Sequence, residues 1–327
     1  MIKPALEEES TVPLQRLEVV TFGEALTLML AEGTAPVSHS RTLELGMAGA
    51  ESNLAVGLAR LGHQTAFFGR VGDDIFGHRI RRELLAEGID TSHLVLDPDH
   101  PTGAIIRDAA GHRPITVIYR RAHSAACFLS PADVPSNLIA AARVLHVTGI
   151  TAVLSESAFE ATLHAVQVAK RCGVPVSFDP NVRHRLASPE LWRQITAELA
   201  PYADIVLTGA DDAAVVAPGE DPIEWFRARG ARIVVVKSGA QGAAESDGTE
   251  HVSQPAHPVS VVDSVGAGDA FNAGWLSAWL RGRGAQQRLQ EASVVGALVV
   301  ATRGDTLGLP DAGTRDLVLN QSLDVLR

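Results

Sequence analysis

Downstream of residue 142 the chain alternates short apolar runs with stretches whose apolar residues recur at the 3.6-residue helical period. Val144–Val147, Val174–Phe178, Ile205–Thr208 and Ile233–Lys237 read as buried strands, and Glu156–Arg171, Pro189–Leu199 and Pro222–Arg229 as helices between them. That order predicts an α/β fold with a mostly parallel sheet covered on both faces. Ligands of such sheets bind at the carboxyl ends of the strands. Upstream, Val19–Leu30 is β-rich, Ala50–Leu61 carries Leu54, Leu58 and Leu61 at helical spacing before Gly62, Thr65–Val71 reads as a strand, and Ile75–Glu87 as a helix. Two segments differ, about 28–47 and 101–121, where short strands are joined by Gly, Pro and Asp turns. They predict outgrowths that form a small β lid over the sheet edge. Residues 1–16 read as a loose leader, and 17–327 as one domain carrying the lid insertions.

Composition narrows the partners. At 327 residues and 46% hydrophobic, the chain can bury a large core. Its net charge of −10, with scattered Lys and Arg, argues against nucleic acid and anionic membranes as partners. No run of about 18 apolar residues suits a membrane span, and Glu7-Glu8-Glu9 stands where a secretory signal would be basic and then apolar, so a cytoplasmic protein is expected. Cys127 and Cys172 lack any paired spacing and read as small buried apolar residues. None of the 12 histidines falls into a metal-ligand pattern.

The chemistry concentrates in Val262-Asp263-Ser264-Val265-Gly266-Ala267-Gly268-Asp269-Ala270-Phe271. Gly266 and Gly268 permit positive φ and close approach, so the amides of Gly266, Ala267 and Gly268 can converge on an anion. The helix that follows, with Phe271, Trp275 and Trp279 at i, i+4 spacing, adds its positive N-terminal end. Asp269 then stands where phosphoryl transfer needs a carboxylate to orient a hydroxyl and accept its proton. Taken alone, a Gly-x-Gly is more often just a turn before a helix, with Asp269 an ordinary first-turn acid favoured by the helix dipole. The dinucleotide fingerprint fails because its third glycine would fall at Phe271, and no Gly-x-x-x-x-Gly-Lys-Ser/Thr occurs.

A second constellation is Gly46-Met47-Ala48-Gly49-Ala50-Glu51-Ser52-Asn53, where small residues allow a hinge and Asn53 offers an amide to sugar hydroxyls. With Gly69-Arg70-Val71-Gly72-Asp73-Asp74 and the Gly-Ala-Gly-Asp block, it makes the chain resemble the ribokinase-like, or PfkB, family of carbohydrate kinases from about Val19 to Pro310. The resemblance implies a three-layer ribokinase-like sandwich, ATP and Mg²⁺ as cofactors, and Asp269 as the catalytic base. It places the nucleotide beside Lys237, Gly239, Gly242 and Ser293, and the metal and phosphate near Thr208 and Asp211. It implies self-association, since lid sheets of the family pair.

Within the family the chain is most similar to kinases of the sugar acid 2-keto-3-deoxygluconate. Relatives that act on neutral sugars place an acid five positions after the glycine equivalent to Gly23, and here Leu28 stands there. Tyr119-Arg120-Arg121 resembles the Tyr-Tyr-Arg lid segment, and Asp179-Pro180-Asn181-Val182-Arg183 an Asp-x-Asn-x-Arg block. The resemblance therefore assigns Gly49, Asn53, Tyr119, Arg121 and Arg183 to the sugar acid. Arginine forks suit a carboxylate because they bind it in a bidentate way. The chain departs from the pattern at Ala48 in the hinge, at Arg120 and Ile105 where aromatics are expected, in the Thr208-Gly209-Ala210-Asp211 block, and at Ser293. A neutral-sugar or nucleoside kinase of the family, or a sugar or nucleotide sensor on the same fold, is the alternative.

Overall fold

The computed structural model describes residues 16–33, 36–108 and 115–320. The expected leader, but for Arg16, and residues 109–114 of the second insertion lie outside the described residues. In chain order the strands are β1 (Val19–Gly23), β2 (Leu26–Ala31), β3 (Leu43–Ala48), β4 (Thr65–Gly72), β5 (Leu94–Asp97), β6 (Ala104–Arg107), β7 (Val117–Arg120), β8 (Val144–Thr148), β9 (Val176–Asp179), β10 (Ile205–Gly209), β11 (Ile233–Lys237), β12 (Ala243–Ser246) and β13 (His251–Gln254). The helices are α1 (Ala50–Arg60), α2 (Ile75–Ala86), α3 (Ser136–Ala141), α4 (Gly149–Val153), α5 (Glu156–Cys172), α6 (Pro189–Leu199), α7 (Ala210–Val216), α8 (Pro222–Arg227), α9 (Ala267–Leu280), α10 (Ala285–Val300) and α11 (Ala312–Leu319).

The main sheet has the order β13-β12-β11-β10-β9-β8-β1-β4-β5, parallel from β11 to β5, with β12 and β13 antiparallel at the edge. Alternate residues of each strand feed opposite faces: Val206 packs with Trp192 and Phe226 on one side, Ile205 and Leu207 with Trp275 and Leu276 on the other. Helices α3 to α8 cover the first face, and α1, α2, α9 and α10 the second. Local signals set the helix ends. Ser155 and Ser188 accept backbone N–H bonds at the starts of α5 and α6, and Gly173 closes α5 with φ 67°.

From β1 the chain goes to β4 and β5 on one side and later returns to β8 on the other, which opens a crevice at the carboxyl ends near this switch point. A second sheet, β3-β2-β6-β7, has antiparallel outer pairs and a parallel β2–β6 pair in the middle. Leu26, Leu28, Leu30, Ala48 and Ile105 form its core.

Helix α10 is absent from the periodicity reading. Leu289, Ala292, Val294, Val295, Ala297 and Val299 are all buried, so it carries no clean polar face. The expectation for the cysteines is corrected: Cys127 is half-buried and Cys172, the last residue of α5, is exposed beside the Gly173 cap.

Candidate active site

Helix α9 starts from Gly266, which has φ 82° and leaves no room for a side chain, since a Cβ would lie 2.7 Å from the Asp305 carbonyl oxygen. Gly268 does not share that conformation. It already lies within the helix, and a Cβ there would meet only Lys237 Nζ, at 3.9 Å, so its smallness keeps the approach to the turn open. Asp269 is the third residue of the helix and is only 8% exposed. Its Oδ2 accepts from the Asn53 amide at 2.9 Å, and its Oδ1 from the Asn181 amide at 3.4 Å. Burial pushes Asp269 up to about 6, while the Asn53 bond and the charge of Arg183 favour its ionised form.

Two cavities meet at this point. The smaller, about 460 Å³, is lined by Ile105, Arg107 and Tyr119 from the small sheet and by Asn181, Arg183 and Asp269 from the main domain. The larger, about 710 Å³, runs along α9 and α10 past Gly242, Val261, Phe271, Ser293 and Ala297. Their shared wall is Lys237, Gly239, Ser264 and Gly268. A group held against that wall is open to both sides.

Lys237, the last residue of β11, is fixed there by Asp179 Oδ2 at 2.7 Å and Asn272 Oδ1 at 3.0 Å. Asn272 also donates to Asp179 Oδ2, and Asn181 donates its backbone N–H to Asp179 Oδ1 from φ 47°. That left-handed conformation at a non-glycine residue lets one residue bond both Asp179 and Asp269. Behind Asp269, Thr148 and Thr151 donate to Glu51 Oε1, and burial pushes this carboxyl up to about 7.

The assigned site residues fall into distinct places. Tyr119 and Arg183 line the smaller cavity, and Arg183 is exposed with one bond, to the Val182 carbonyl. Asn53 is buried and donates to Asp269, so it orients the acid. Gly49, φ 141°, precedes α1 and packs on the Glu24 backbone. Arg121 is buried in an ion pair with Glu24, 5.3 Å from the Tyr119 ring, and lies outside the cavity lining. Gly239, Gly242 and Ser293 line the larger cavity, and the Ser293 hydroxyl accepts from His257 N and donates to the Pro255 carbonyl. Thr208 is buried away from the cleft and Asp211 faces solvent, whereas Asp212 lines the cavity. Consecutive residues of a helix point about 100° apart, so only one of the two acids can face inward. Burial, and then the charge of Asp179, pushes Asp212 up to about 6.

Sequence reasoning missed Asp212 and Arg107. A charged residue two positions after Ile105 in a strand was the available signal for Arg107, because i and i+2 share a face.

The family described as pfkB family carbohydrate kinase matches residues 16–312. A 2-dehydro-3-deoxygluconokinase of Bacillus subtilis (strain 168) is 36% identical over 306 residues, covering 90% of this chain and 93% of that protein. Another, from Thermoproteus tenax, is 34% identical over 308 residues, with 90% and 91% covered. An E. coli protein solved in complex with ATP and Mg²⁺, and called a ribokinase II, superposes with a TM-score of 0.86 at 27% identity over 94% of this chain and 99% of that one.

Proposed function

The chain belongs to the pfkB family of carbohydrate kinases, and from that premise we propose that it transfers the γ-phosphoryl group of ATP to the terminal hydroxyl of 2-keto-3-deoxygluconate. The observation that carries this reading is the shared wall of the two cavities, with a buried carboxylate, a lysine and a helix N-terminus converging on it. The named relatives support the sugar acid, and the E. coli complex supports ATP and Mg²⁺.

In this reading the larger cavity takes the nucleotide and the smaller the sugar. When bound, Mg²⁺·ATP supplies the phosphoryl donor and a divalent charge on its oxygens. Asp212, with Asp179 near it, would hold the ion. Oxygen donors of this kind suit Mg²⁺, which keeps most of its waters, and among the described residues no cluster of three or more His, Cys, Asp or Glu forms a closed cage. Asp269 orients the hydroxyl and takes its proton as the new P–O bond forms and the bond from the γ-phosphorus to the leaving ADP oxygen breaks, then releases it to solvent. The amides of residues 266–268 and Lys237 stabilise charge on the moving group, and Lys237 does so without rearranging because Asp179 and Asn272 already fix it. Arg183, at the cavity mouth, reads the substrate carboxylate. Arg121 acts through Tyr119 by holding the lid strand against Glu24.

The exposed Leu43 and Leu45 of edge strand β3 support self-association through the small sheet. An ATP-dependent enzyme of this kind works in the cytoplasm; among the described residues no helix is long and apolar enough to cross a membrane.

Phosphorus–proton correlation NMR of the product tests the proposal. The expected product carries its phosphate on the terminal CH₂ carbon. ADP released without an esterified sugar acid, or phosphate on another oxygen, contradicts it.

A further inference from the structure

Arg107 has no part in the transfer described above, yet it is a fully buried cation in the wall of the sugar cavity. It ends β6 of the small sheet. Its Nη1 pairs with Asp263 at 2.8 Å and its Nη2 with Asp305 at 2.7 Å, all three side chains being almost completely enclosed. These two acids bracket the glycine turn. Asp263 accepts from Val265 N at 3.1 Å and from Gly304 N at 3.2 Å, which ties the segment entering the turn to the 302–305 loop. The Asp305 backbone lies directly against Gly266.

The charges make this arrangement one unit. Burial opposes the guanidinium charge, but the two carboxylates outweigh it and hold the Arg107 pKa above its ordinary value. Burial raises Asp305 in spite of Arg107, and Asn53, which also bonds Asp269, helps hold it. Without Arg107 two enclosed acids would face each other with no cation between them, and a buried charge that loses its partner is strongly destabilising. The cation comes from the lid, and the acids belong to the floor.

We propose that Arg107 is a positioning residue through which the small sheet sets the anion-binding turn: its fork fixes the Asp263 and Asp305 segments on either side of Gly266, so the turn is fully formed only when β6 is docked. The lid and the phosphoryl-binding turn then respond to each other's ligands. The proposal rests on the kinase reading but not on the identity of the sugar.

The test is amide hydrogen exchange of the full chain, read by fragment, in the wild type and in Arg107→Lys, which keeps a charge and loses the fork. In the free protein the variant should exchange about tenfold faster over residues 263–268, with the β8–β10 core unchanged, as expected for a local opening. Its kcat should fall by about tenfold or more while KM for ATP stays within about threefold, the pattern of a defect confined to the transition state. In the wild type, Mg²⁺·ADP alone should slow exchange in β6, which does not line the nucleotide cavity, by about threefold or more if the sites are linked. A folded Arg107→Lys with unchanged turn exchange and kcat overturns the proposal. So does a uniform acceleration across both sheets, which marks a purely structural residue. The ADP arm needs no variant and stands if Arg107→Lys does not fold: ADP that protects 265–268 but leaves β6 unchanged overturns the link. ADP that protects neither segment, with no sugar phosphorylated, sinks the kinase reading instead, and the free-protein comparison still decides the role of Arg107.

Discussion

The floor of the cleft stands on the carboxyl ends of β9, β10 and β11 and on α9, with Leu207, Val234, Trp275 and Leu276 fully enclosed beneath it. The small sheet above it has strands of four to six residues and closes around five buried side chains, with Leu43 and Leu45 of β3 left in solvent. Few apolar contacts hold the small sheet, and its docking rests on the Arg107 pairs with Asp263 and Asp305, whereas the floor is continuous with the main core. The division suits the chemistry. Asp269, Lys237 and the turn must be in place before the phosphoryl group moves, while a cover over the smaller cavity must admit a ligand and release it.

The sharpest way to break this contrast is to remove the base from the floor. Asp269→Asn should lower kcat by roughly 10²- to 10⁴-fold, the range of a lost general base, and leave the calorimetric Kd for the sugar within a few-fold. The same variant should be more stable. A carboxyl raised to about 6 in the fold binds more protons folded than unfolded, so stability falls as pH rises between its unfolded value and 6. Removing that charge should stabilise the fold at pH 7 by on the order of 1–3 kcal/mol, read as a higher thermal midpoint, and the gain should vanish below about pH 4. An inactive but less stable variant would mean that the buried acid supports the fold instead of straining it.

Next in size is selectivity. Arg183→Ala should raise KM for the sugar acid about 10- to 100-fold, the value of a charge-assisted hydrogen bond, with kcat within about threefold. KM for fructose should barely move. Equal losses for both sugars would take the carboxylate away from Arg183.

The pH profile should follow Asp269. Because the base must be ionised, kcat/KM should rise through about pH 6 and level off above it, losing about tenfold per unit on the acid side. A profile flat down to pH 5 would contradict the raised carboxyl. The smallest effect separates the two regions by stability. Leu207→Ala, in the floor, should cost about 2–5 kcal/mol and lower the global melting temperature by several degrees. Leu28→Ala, in the small-sheet core, should raise KM for the sugar and shift the global melt far less, because that core is a cluster separate from those of the main sheet.

The same contrast explains what could be read from the chain. The floor is written in local patterns: alternating β and α periods, serine caps at 155 and 188, and a glycine turn whose acid follows at once. Asp269 was therefore legible. Asn53 and Lys237 were legible as site residues too, but not what they bond: the amides of Asn53 and Asn181 hold Asp269 and Lys237 holds Asp179, across elements far apart in sequence. Asp211 and Asp212 are adjacent in the chain, and only the helix phase of α7 separates the solvent-facing acid from the inward one. Arg121 looked like a carboxylate reader by its place after Tyr119, but Glu24, itself buried, takes it. Arg107 depends on Asp263 and Asp305, and no local pattern joins the three.

A sugar-acid kinase whose main domain carries both the base and Arg183, beneath a small sheet that covers the sugar, is put to the test by initial rates of ADP release. The wild-type protein would be given Mg²⁺·ATP with 2-keto-3-deoxygluconate, its galacto epimer, fructose, ribose and adenosine. The account expects kcat/KM for the keto acids to exceed that for the neutral sugars by about 10- to 100-fold, the scale of a charge-assisted hydrogen bond to Arg183. Equal or faster turnover of fructose or adenosine would leave Asp269 as the base and contradict the carboxylate site.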